Sequence, residues 1–204
     1  MTTWVERPEG GRDRGPRGIA RAWVEVLTNP RRFFRNGVAP GDQAPGLVFG
    51  VLVAALYTVT RVAVEPGPVR LVTTTPGGER FTQTVPDALV VLAVVVVVAP
   101  AALHLVSALQ TVLLMFAAPD RGGVSETVQV VAYATAPCAL AGLPSPAVRA
   151  ACALYGAALL AVGLSEVHDT PASRAALLGA VPATLVFGAG FGGSAAVSAL
   201  LSAG

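Results

Sequence analysis

The chain has 204 residues, of which 53% are hydrophobic and 13% charged, and its mean hydropathy is +0.65. The charged fraction is about half of the roughly 25% typical of soluble domains. The composition therefore excludes an ordinary soluble domain and indicates a protein that crosses a membrane several times. The net charge is only +2, and acidic residues stand among the N-terminal arginines instead of leaving a basic stripe, so nucleic-acid binding is not expected.

The N-terminal region divides into two parts. Residues 1–16 have the glycine, proline and charge content of a disordered cytoplasmic tail. Residues 17–45 are predicted to form a cytoplasmic amphipathic and interfacial segment, since Trp23 shares one helical face with aliphatic residues until Asn29-Pro30 stops the helix. No apolar run of a signal peptide precedes residue 46, so the first span is expected to act as the insertion signal.

Arginine and phenylalanine alternate just before the first span. The run contains Arg31, Arg32, Phe33, Phe34 and Arg35. It is expected to lie along the membrane surface, with its rings at the headgroups and its guanidinium groups toward anionic lipid. The alternative is a docking helix for a cytoplasmic protein.

Apolar runs long enough to cross about 30 Å of hydrocarbon predict the fold class. We expect an all-α, polytopic membrane helix bundle over residues 46–204, with five transmembrane helices after the short amphipathic helix. The second run is too long for one upright crossing, and Pro100 predicts a bent helix instead of a hairpin because no polar turn interrupts it. The predicted spans are residues 46–64, 87–118, 125–141, 147–164 and 174–202.

The arginine distribution predicts the orientation. Ten of the fourteen arginines lie in the inner segments if the N-terminus is cytoplasmic; Arg61, Arg70, Arg80 and Arg149 lie in the outer loop or near outer span ends. This distribution favours a cell-membrane protein with a cytoplasmic N-terminus and an external C-terminus. The outer loop, residues 65–86, has two β-prone pieces around a Pro-Gly-Gly turn, which predicts a short external hairpin.

His104 lies inside the second predicted span, where an ionisable side chain indicates function by default. Because Gln110 and Tyr133 are among its few polar neighbours, a neutral ring hydrogen-bonded to a neighbouring helix is expected. The alternative is a small transporter or channel whose polar groups near His104 and Tyr133, with breaks at Pro100 and Pro137, line a path. No catalytic, cofactor-binding or metal-binding residue is predicted, since two histidines cannot supply a His-rich zinc site.

Two further patterns concern helix packing. Cys138 and Cys152 lie seven residues on either side of Ser145, so a hairpin puts them at similar depth. They either form a disulfide, which requires Cα atoms within roughly 7 Å of each other, or are ordinary buried thiols. In the last span, a small residue recurs every fourth position at Gly188, Gly192 and Ala196, which predicts a ridge for close helix approach. The formal G-x-G-x-x-G match there lacks the strand and helix of a dinucleotide loop.

The stretch GLSEVHDTP, residues 163–171, gathers Glu166, His168, Asp169 and Thr170 between the fourth and fifth spans. The position predicts an exposed turn whose polar residues cap the neighbouring helices. An active centre or a metal site is the alternative, but an exposed turn provides no water-free pocket.

Several short pieces carry a family resemblance: LTNPRRFF before the first span, the pair Gly122-Gly123, the stretch from Tyr133 to Pro137, and the loop from Gly163 to Ala175. Over about residues 25–190 the chain resembles the Yip1 family, and its all-arginine usage indicates a prokaryotic member. The resemblance implies five spans, a cytoplasmic N-terminus and a non-enzymatic membrane module. Eukaryotic members bind prenylated Rab GTPases, but a prokaryote has no such partner, so that role is not carried over.

We therefore expect a membrane scaffold or adaptor without enzymatic activity or cofactor. Its expected partners are membrane lipid and an unidentified membrane or cytoplasmic protein, and homo-oligomerisation is left open. The residues expected to make these contacts, or to shape them, are Trp23, Arg31, Arg32, Phe33, Phe34, His104, Tyr133, Pro137, His168 and Asp169.

Overall fold

The computed structural model describes residues 15–65, 69–116, 118 and 121–203. Nearly all of the predicted tail lies outside these residues, and Pro16 already begins the first helix. The helices are α1 (Pro16–Thr28), α2 (Pro30–Gly37), α3 (Ala44–Val64), α4 (Asp87–Ala93), α5 (Ala99–Met115), α6 (Val124–Ala134), α7 (Pro146–Val167), α8 (Ala172–Ala183) and α9 (Gly193–Ser202); the strands are β1 (Val69–Thr74) and β2 (Arg80–Val85). Three irregular helical segments continue α-helices. A π segment, Val94–Val98, follows α4, a 3₁₀ segment, Ala136–Leu140, comes after α6, and a second π segment, Thr184–Gly190, follows α8.

In the part of the chain that the structure describes, four helical stretches are long and apolar enough to cross a membrane, which confirms the predicted membrane helix bundle. They are Ala44–Val64, Asp87–Met115, Pro146–Val167 and Ala172–Gly190. The second is one continuous helix of 29 residues, as predicted. Its π segment lies just before Pro100. Proline lacks an N–H group and its ring crowds the preceding turn, so the wider π turn stands where the backbone departs from α geometry.

The third predicted span forms α6 and the 3₁₀ segment and is not among these four stretches. The α-helix ends before Thr135, whose hydroxyl donates to the Ala132 carbonyl at 2.6 Å, and Pro137 cannot donate to an α ladder. Every residue from 127 to 138 is buried, so protein surrounds this break in the helix. The number of five crossings therefore stays a prediction.

The packing ridge predicted in the last span is wrong. Gly192 adopts a left-handed conformation with φ of 71°, and α9 begins after it as a separate helix. Gly188, Gly192 and Ala196 consequently do not share one helix face. Gly188 instead allows α9 to fold back closely, because a Cβ at this position would stand 2.6 Å from the Ser194 hydroxyl oxygen.

The hairpin predicted after the first span is confirmed. Strands β1 and β2 pair antiparallel, from Val69 opposite Val85 to Thr74 opposite Arg80. The turn between them is closed by the Thr75 backbone N–H, which donates to the Glu79 carbonyl at 2.9 Å. The hairpin connects α3 to α4 and lies at one end of the bundle.

Contacts between helix termini define two ends of the bundle. At the proximal end, α2 lies beside the last turn of α7, where Arg35 Nη2 donates to Glu166 Oε2 at 2.7 Å. At the distal end, the turn before α7 packs on the last turns of α3, since a Cβ on Gly142 would be 2.7 Å from the Tyr57 carbonyl oxygen. Arg149, near the start of α7, lies 3.8 Å from Glu65 at the same distal end.

The N-terminal helices are part of the bundle core. The predicted amphipathic helix is confirmed as α1, which ends before Asn29-Pro30. The expectation that the Phe33 and Phe34 rings lie at the lipid headgroups is wrong, because these residues are only 2% and 1% exposed. The Phe33 ring contacts Tyr133 of α6 at 4.8 Å between ring centroids. Helix α2 thus directs its aromatic side chains into the protein.

Replacing a buried ring should therefore destabilise the bundle. Phe33→Ala is expected to lower the free energy of unfolding by about 3 kcal/mol, because it leaves a cavity beside Tyr133. Phe116→Ala is the matched control, since Phe116 is 86% exposed. Denaturant titration of the purified protein in detergent checks this result. Equal losses for both variants would show that the Phe33 ring is not a core side chain.

Candidate functional site

Within the described residues, a group of polar side chains lies at the proximal end, in the turn between α7 and α8. The expectation of an exposed turn is wrong for His168 and Thr170, which are 1% and 6% exposed. Backbone contacts fold the turn onto the end of α7: the His168 N–H donates to the Leu164 carbonyl at 3.1 Å, and the Ser165 hydroxyl donates to the Thr170 carbonyl at 2.7 Å. Asp169 takes a positive φ of 44° and is exposed at the tip.

The predicted capping role of this turn holds for α7, whose C-cap is His168 through its backbone N–H, and is wrong for α8. Pro171 is the residue that precedes α8, and no side chain caps that helix. His168 instead points toward α6, where its Nε2 lies 3.4 Å from the Thr127 hydroxyl oxygen. Among the described residues, His168 Nδ1 and the Thr170 hydroxyl are buried without a hydrogen-bond partner.

The environment of His168 keeps its ring neutral at pH 7. Burial lowers the pKa of His168 to about 4 because the charged form loses water. The Glu126 carboxylate acts against this shift, and the Arg121 guanidinium adds to it. A neutral, buried imidazole can form one hydrogen bond with the Thr127 hydroxyl. This bond attaches the turn to the start of α6.

An ion pair closes the proximal end beside this turn. The Arg35 guanidinium donates to Glu166 Oε2 from both Nε, at 3.1 Å, and Nη2, at 2.7 Å. Arg31 lies further away, with its Nε 4.0 Å from Glu166 Oε1. Sequence reasoning identified Arg31 but missed the pairing of Glu166 with Arg35. Only the fold brings these two residues, 131 positions apart, into contact.

Four further hydrogen bonds attach the N-terminal helices and the following segment to the bundle. The Trp23 indole N–H donates to the Ala136 carbonyl at 3.0 Å, and the Tyr155 hydroxyl donates to the Leu27 carbonyl. The Gln129 amide on α6 donates to the Ala39 carbonyl at 2.7 Å and accepts from the Ala39 N–H at 3.2 Å. Gln129 was missed, although a glutamine within an apolar span is a signal for such a bond.

Tyr133 and Pro137 contribute to this attachment in different ways. The Tyr133 ring packs between Phe33 and Phe49, with centroid distances of 4.8 and 5.1 Å. Pro137 lies in the 3₁₀ segment that replaces the α-helix after Ala134. That departure from the α ladder lets the neighbouring Ala136 carbonyl accept from the Trp23 indole.

His104 is not part of this group. It is exposed on the outer surface of α5, and its Nδ1 lies 2.8 Å from the Pro100 carbonyl oxygen on the same helix. The expectation of a hydrogen bond to a neighbouring helix is therefore wrong. Gln110 and Tyr133 are fully buried, so the structure does not bring them together with His104 around one path.

The two cysteines lie close to each other but are not bonded. Both are buried and free, and Cys138 Sγ lies 3.9 Å from the Cys152 carbonyl oxygen. The prediction that the hairpin brings the two cysteines to similar depth is confirmed. Of the two alternatives, a disulfide and buried thiols, the structure shows buried thiols. Within the described ranges, no three His, Cys, Asp or Glu residues are grouped so that they could hold a metal ion.

Comparison with known proteins identifies one family. A family model described as "Yip1 domain" matches residues 24–193. No curated protein and no solved structure matches the chain. The matched range begins within α1 and ends at the start of α9, so it includes the last turn of α1, all of α2 and the proximal turn.

The buried His168 should make stability depend on pH. In the unfolded chain its pKa is about 6.5, whereas the folded protein takes up the proton only near pH 4. The stabilisation is present in full above pH 6.5 and is lost as the pH falls toward 4, by about 3 kcal/mol at most. Thermal unfolding of the detergent-solubilised protein from pH 7 to 4.5 measures this loss.

The other histidine provides the control for that titration. His168→Gln should flatten the pH dependence between pH 6.5 and 4.5, while His104→Gln should leave it as in the wild type because His104 is exposed. If the wild type and His168→Gln lose stability in parallel over this range, then His168 is not the group responsible.

Proposed function

The chain belongs to the Yip1 family, and we propose that it is a non-enzymatic membrane adaptor that binds the acidic surface of a partner protein through α1 and α2. The observation that carries this proposal is a set of exposed arginines on these two helices. We call it the arginine surface; it consists of Arg17, Arg21, Arg31, Arg32 and Arg35.

The attachment of α1 and α2 favours a protein partner over insertion into lipid. An interfacial helix binds a bilayer by burying its apolar face in the headgroup region. Here Ala22, Val26, Phe33 and Phe34 already bury that face within the bundle. The outward face therefore offers mainly charge, which favours a complementary acidic surface. Contact with lipid remains a property of the membrane-spanning helices.

Rigidity is the second support for an adaptor. The hydrogen bond from Trp23 to Ala136 and the ion pair from Arg35 to Glu166 hold the helices on the 3₁₀ segment and on α7. A surface that is ordered before binding loses less conformational entropy on association. The arginine surface can therefore recognise a partner without first folding.

We also propose that the proximal turn has a structural role and no catalytic one. His168 is 1% exposed, so a substrate reaches its ring nitrogens only if the turn opens. A general base must come within hydrogen-bond reach of the proton that it removes. The neutral ring with its Thr127 contact is better suited to hold α6 and α7 together.

The orientation is part of the same proposal. The excess of arginine at the N-terminal side favours a cytoplasmic N-terminus, which directs the arginine surface to the cytoplasm. We propose five crossings of the cell membrane, with α6 and the 3₁₀ segment as the third and an external C-terminus. The partner is then cytoplasmic or has a cytoplasmic domain.

Charge reversal on the arginine surface tests the adaptor function. The double variant Arg17→Glu/Arg32→Glu should reduce crosslinking of the partner in native membranes about tenfold, because exposed ion pairs contribute up to about 1 kcal/mol each and reversal adds repulsion. Affinity purification of the tagged protein with quantitative mass spectrometry measures the crosslinked product. Deleting α1 and α2 is unsuitable, since it removes Phe33 and Phe34 from the core.

The matched control is Arg70→Glu/Arg80→Glu, which changes the charge equally on the exposed hairpin at the distal end. This control should crosslink as the wild type does. Equal losses in both double variants would point to a general charge effect, and a surface that contacts only lipid would give no protein whose crosslinking depends on Arg17 and Arg32.

A further inference from the structure

A cavity opens through the side of the bundle, away from the arginine surface. It has a volume of about 210 Å³ and lies between α3, α5 and the π segment that follows α8. Most of its lining is apolar, with Ala54, Val98, Ala102 and Leu185 on its walls. Val98 and Leu185 are 53% and 45% exposed, so the opening is on the outer surface of the helices, where lipid surrounds a membrane protein.

Both π segments line this cavity. Val94–Val98 contributes from the helix that continues as α5, and Thr184–Gly190 contributes from the end of α8. A π turn widens a helix locally and is frequent at functional sites. The two irregular segments thus meet at the same space from opposite walls.

An aromatic pair in the cavity lining leads to a nearby arginine. The rings of Tyr57 and Phe191 both line the cavity and contact each other with centroids 5.1 Å apart. Gly192, directly after Phe191, packs closely against both Arg149 and Tyr57, because a Cβ on it would be 3.3 Å from Arg149 Cδ and 3.5 Å from the Tyr57 hydroxyl oxygen. The Arg149 side chain therefore stands beside the tyrosine that lines the cavity.

A second arginine continues the lining face of α3. Ala54, Thr58 and Arg61 follow one another at spacings of four and three residues, so they share one face of the helix. Arg61 pairs with Glu65, and Arg149 lies 3.8 Å from the same carboxylate. Arg61 and Arg149 share the single Glu65 carboxylate, which leaves an excess of positive charge next to Tyr57, at the edge of the apolar cavity.

We propose that this cavity binds one acyl chain of an anionic phospholipid, with the lipid phosphate on Arg61 and Arg149. An apolar cavity of about 150 Å³ can hold a benzene-sized hydrocarbon, so 210 Å³ accommodates part of an acyl chain. Guanidinium groups match the geometry and charge of phosphate oxygens. A free phosphate ion explains the arginines but leaves the apolar cavity unused, whereas a phospholipid occupies both parts.

Photolabelling in nanodiscs tests the acyl-chain part. The full chain is reconstituted in phosphatidylcholine nanodiscs that contain a small amount of phosphatidylglycerol with a diazirine on its acyl chain. Peptides from α3, α5 and the π segment after α8 that line the cavity should be labelled. Ala102→Trp should reduce this labelling about tenfold because the indole fills the cavity. Ala101→Trp, on the neighbouring exposed position outside the lining, should not.

The headgroup part is tested by lipid preference. Labelling by the phosphatidylglycerol probe should exceed that by the matching phosphatidylcholine probe. Arg61→Gln should reduce this preference about threefold to tenfold, consistent with the loss of one charge-assisted contact. Arg70→Gln on the hairpin is the control and should retain the preference. Inorganic phosphate should not displace the label.

The proposal is overturned if Ala102→Trp is labelled as strongly as the wild type, or if the cavity residues crosslink to a second copy of the chain in place of lipid. Equal labelling by both probes in the wild type, or competition by inorganic phosphate, overturns the assignment of the phosphate to Arg61 and Arg149. Size-exclusion elution and thermal unfolding of each variant confirm that it is folded before labelling is compared.

Discussion

The ring of Tyr133 joins the N-terminal helices to the membrane-spanning helices. Phe33 from α2 and Phe49 from α3 pack against it, and Trp23 from α1 packs on Phe49 with ring centroids 5.2 Å apart. Tilted and edge-to-face contacts of this kind are the favoured geometry of aromatic pairs. The burial of these rings decides where α1 and α2 lie, and therefore which of their residues remain outside. The arginine surface is a consequence of this packing.

In this mostly apolar chain, several polar contacts and the lateral cavity occur where the backbone departs from α geometry. The break after Ala134 makes a carbonyl available to Trp23, and the left-handed turn at Gly192 places Arg149 beside Tyr57. The two π segments line the lateral cavity. Non-helical backbone at membrane depth is tolerated where protein covers it or where it lines a cavity. These breaks in α geometry are consistent with that requirement, and each serves packing or a polar contact.

The two histidines illustrate how far sequence reasoning extends. His104 was expected inside the bundle because it lies in the middle of an apolar run, and His168 was expected in an exposed turn because polar residues surround it. The structure reverses both expectations: His104 is exposed and His168 is buried. A position along the chain indicates how far a residue is from a helix end. It does not indicate which side of the helix faces the protein, and the weak amphipathicity of these apolar helices provides little signal.

The sequence by itself determined the helical class, the apolar runs of α3, of the long helix through α5 and of α7, the α1 helix and the hairpin, because run length, periodicity and turn residues act locally. It also indicated departures from α geometry near Pro100 and Pro137. Only the tertiary structure decided which side chains meet. The contacts from Trp23 to Ala136 and from Arg35 to Glu166 join residues 113 and 131 positions apart. Such contacts depend on how several helices pack at once, and no local pattern in one helix contains that information.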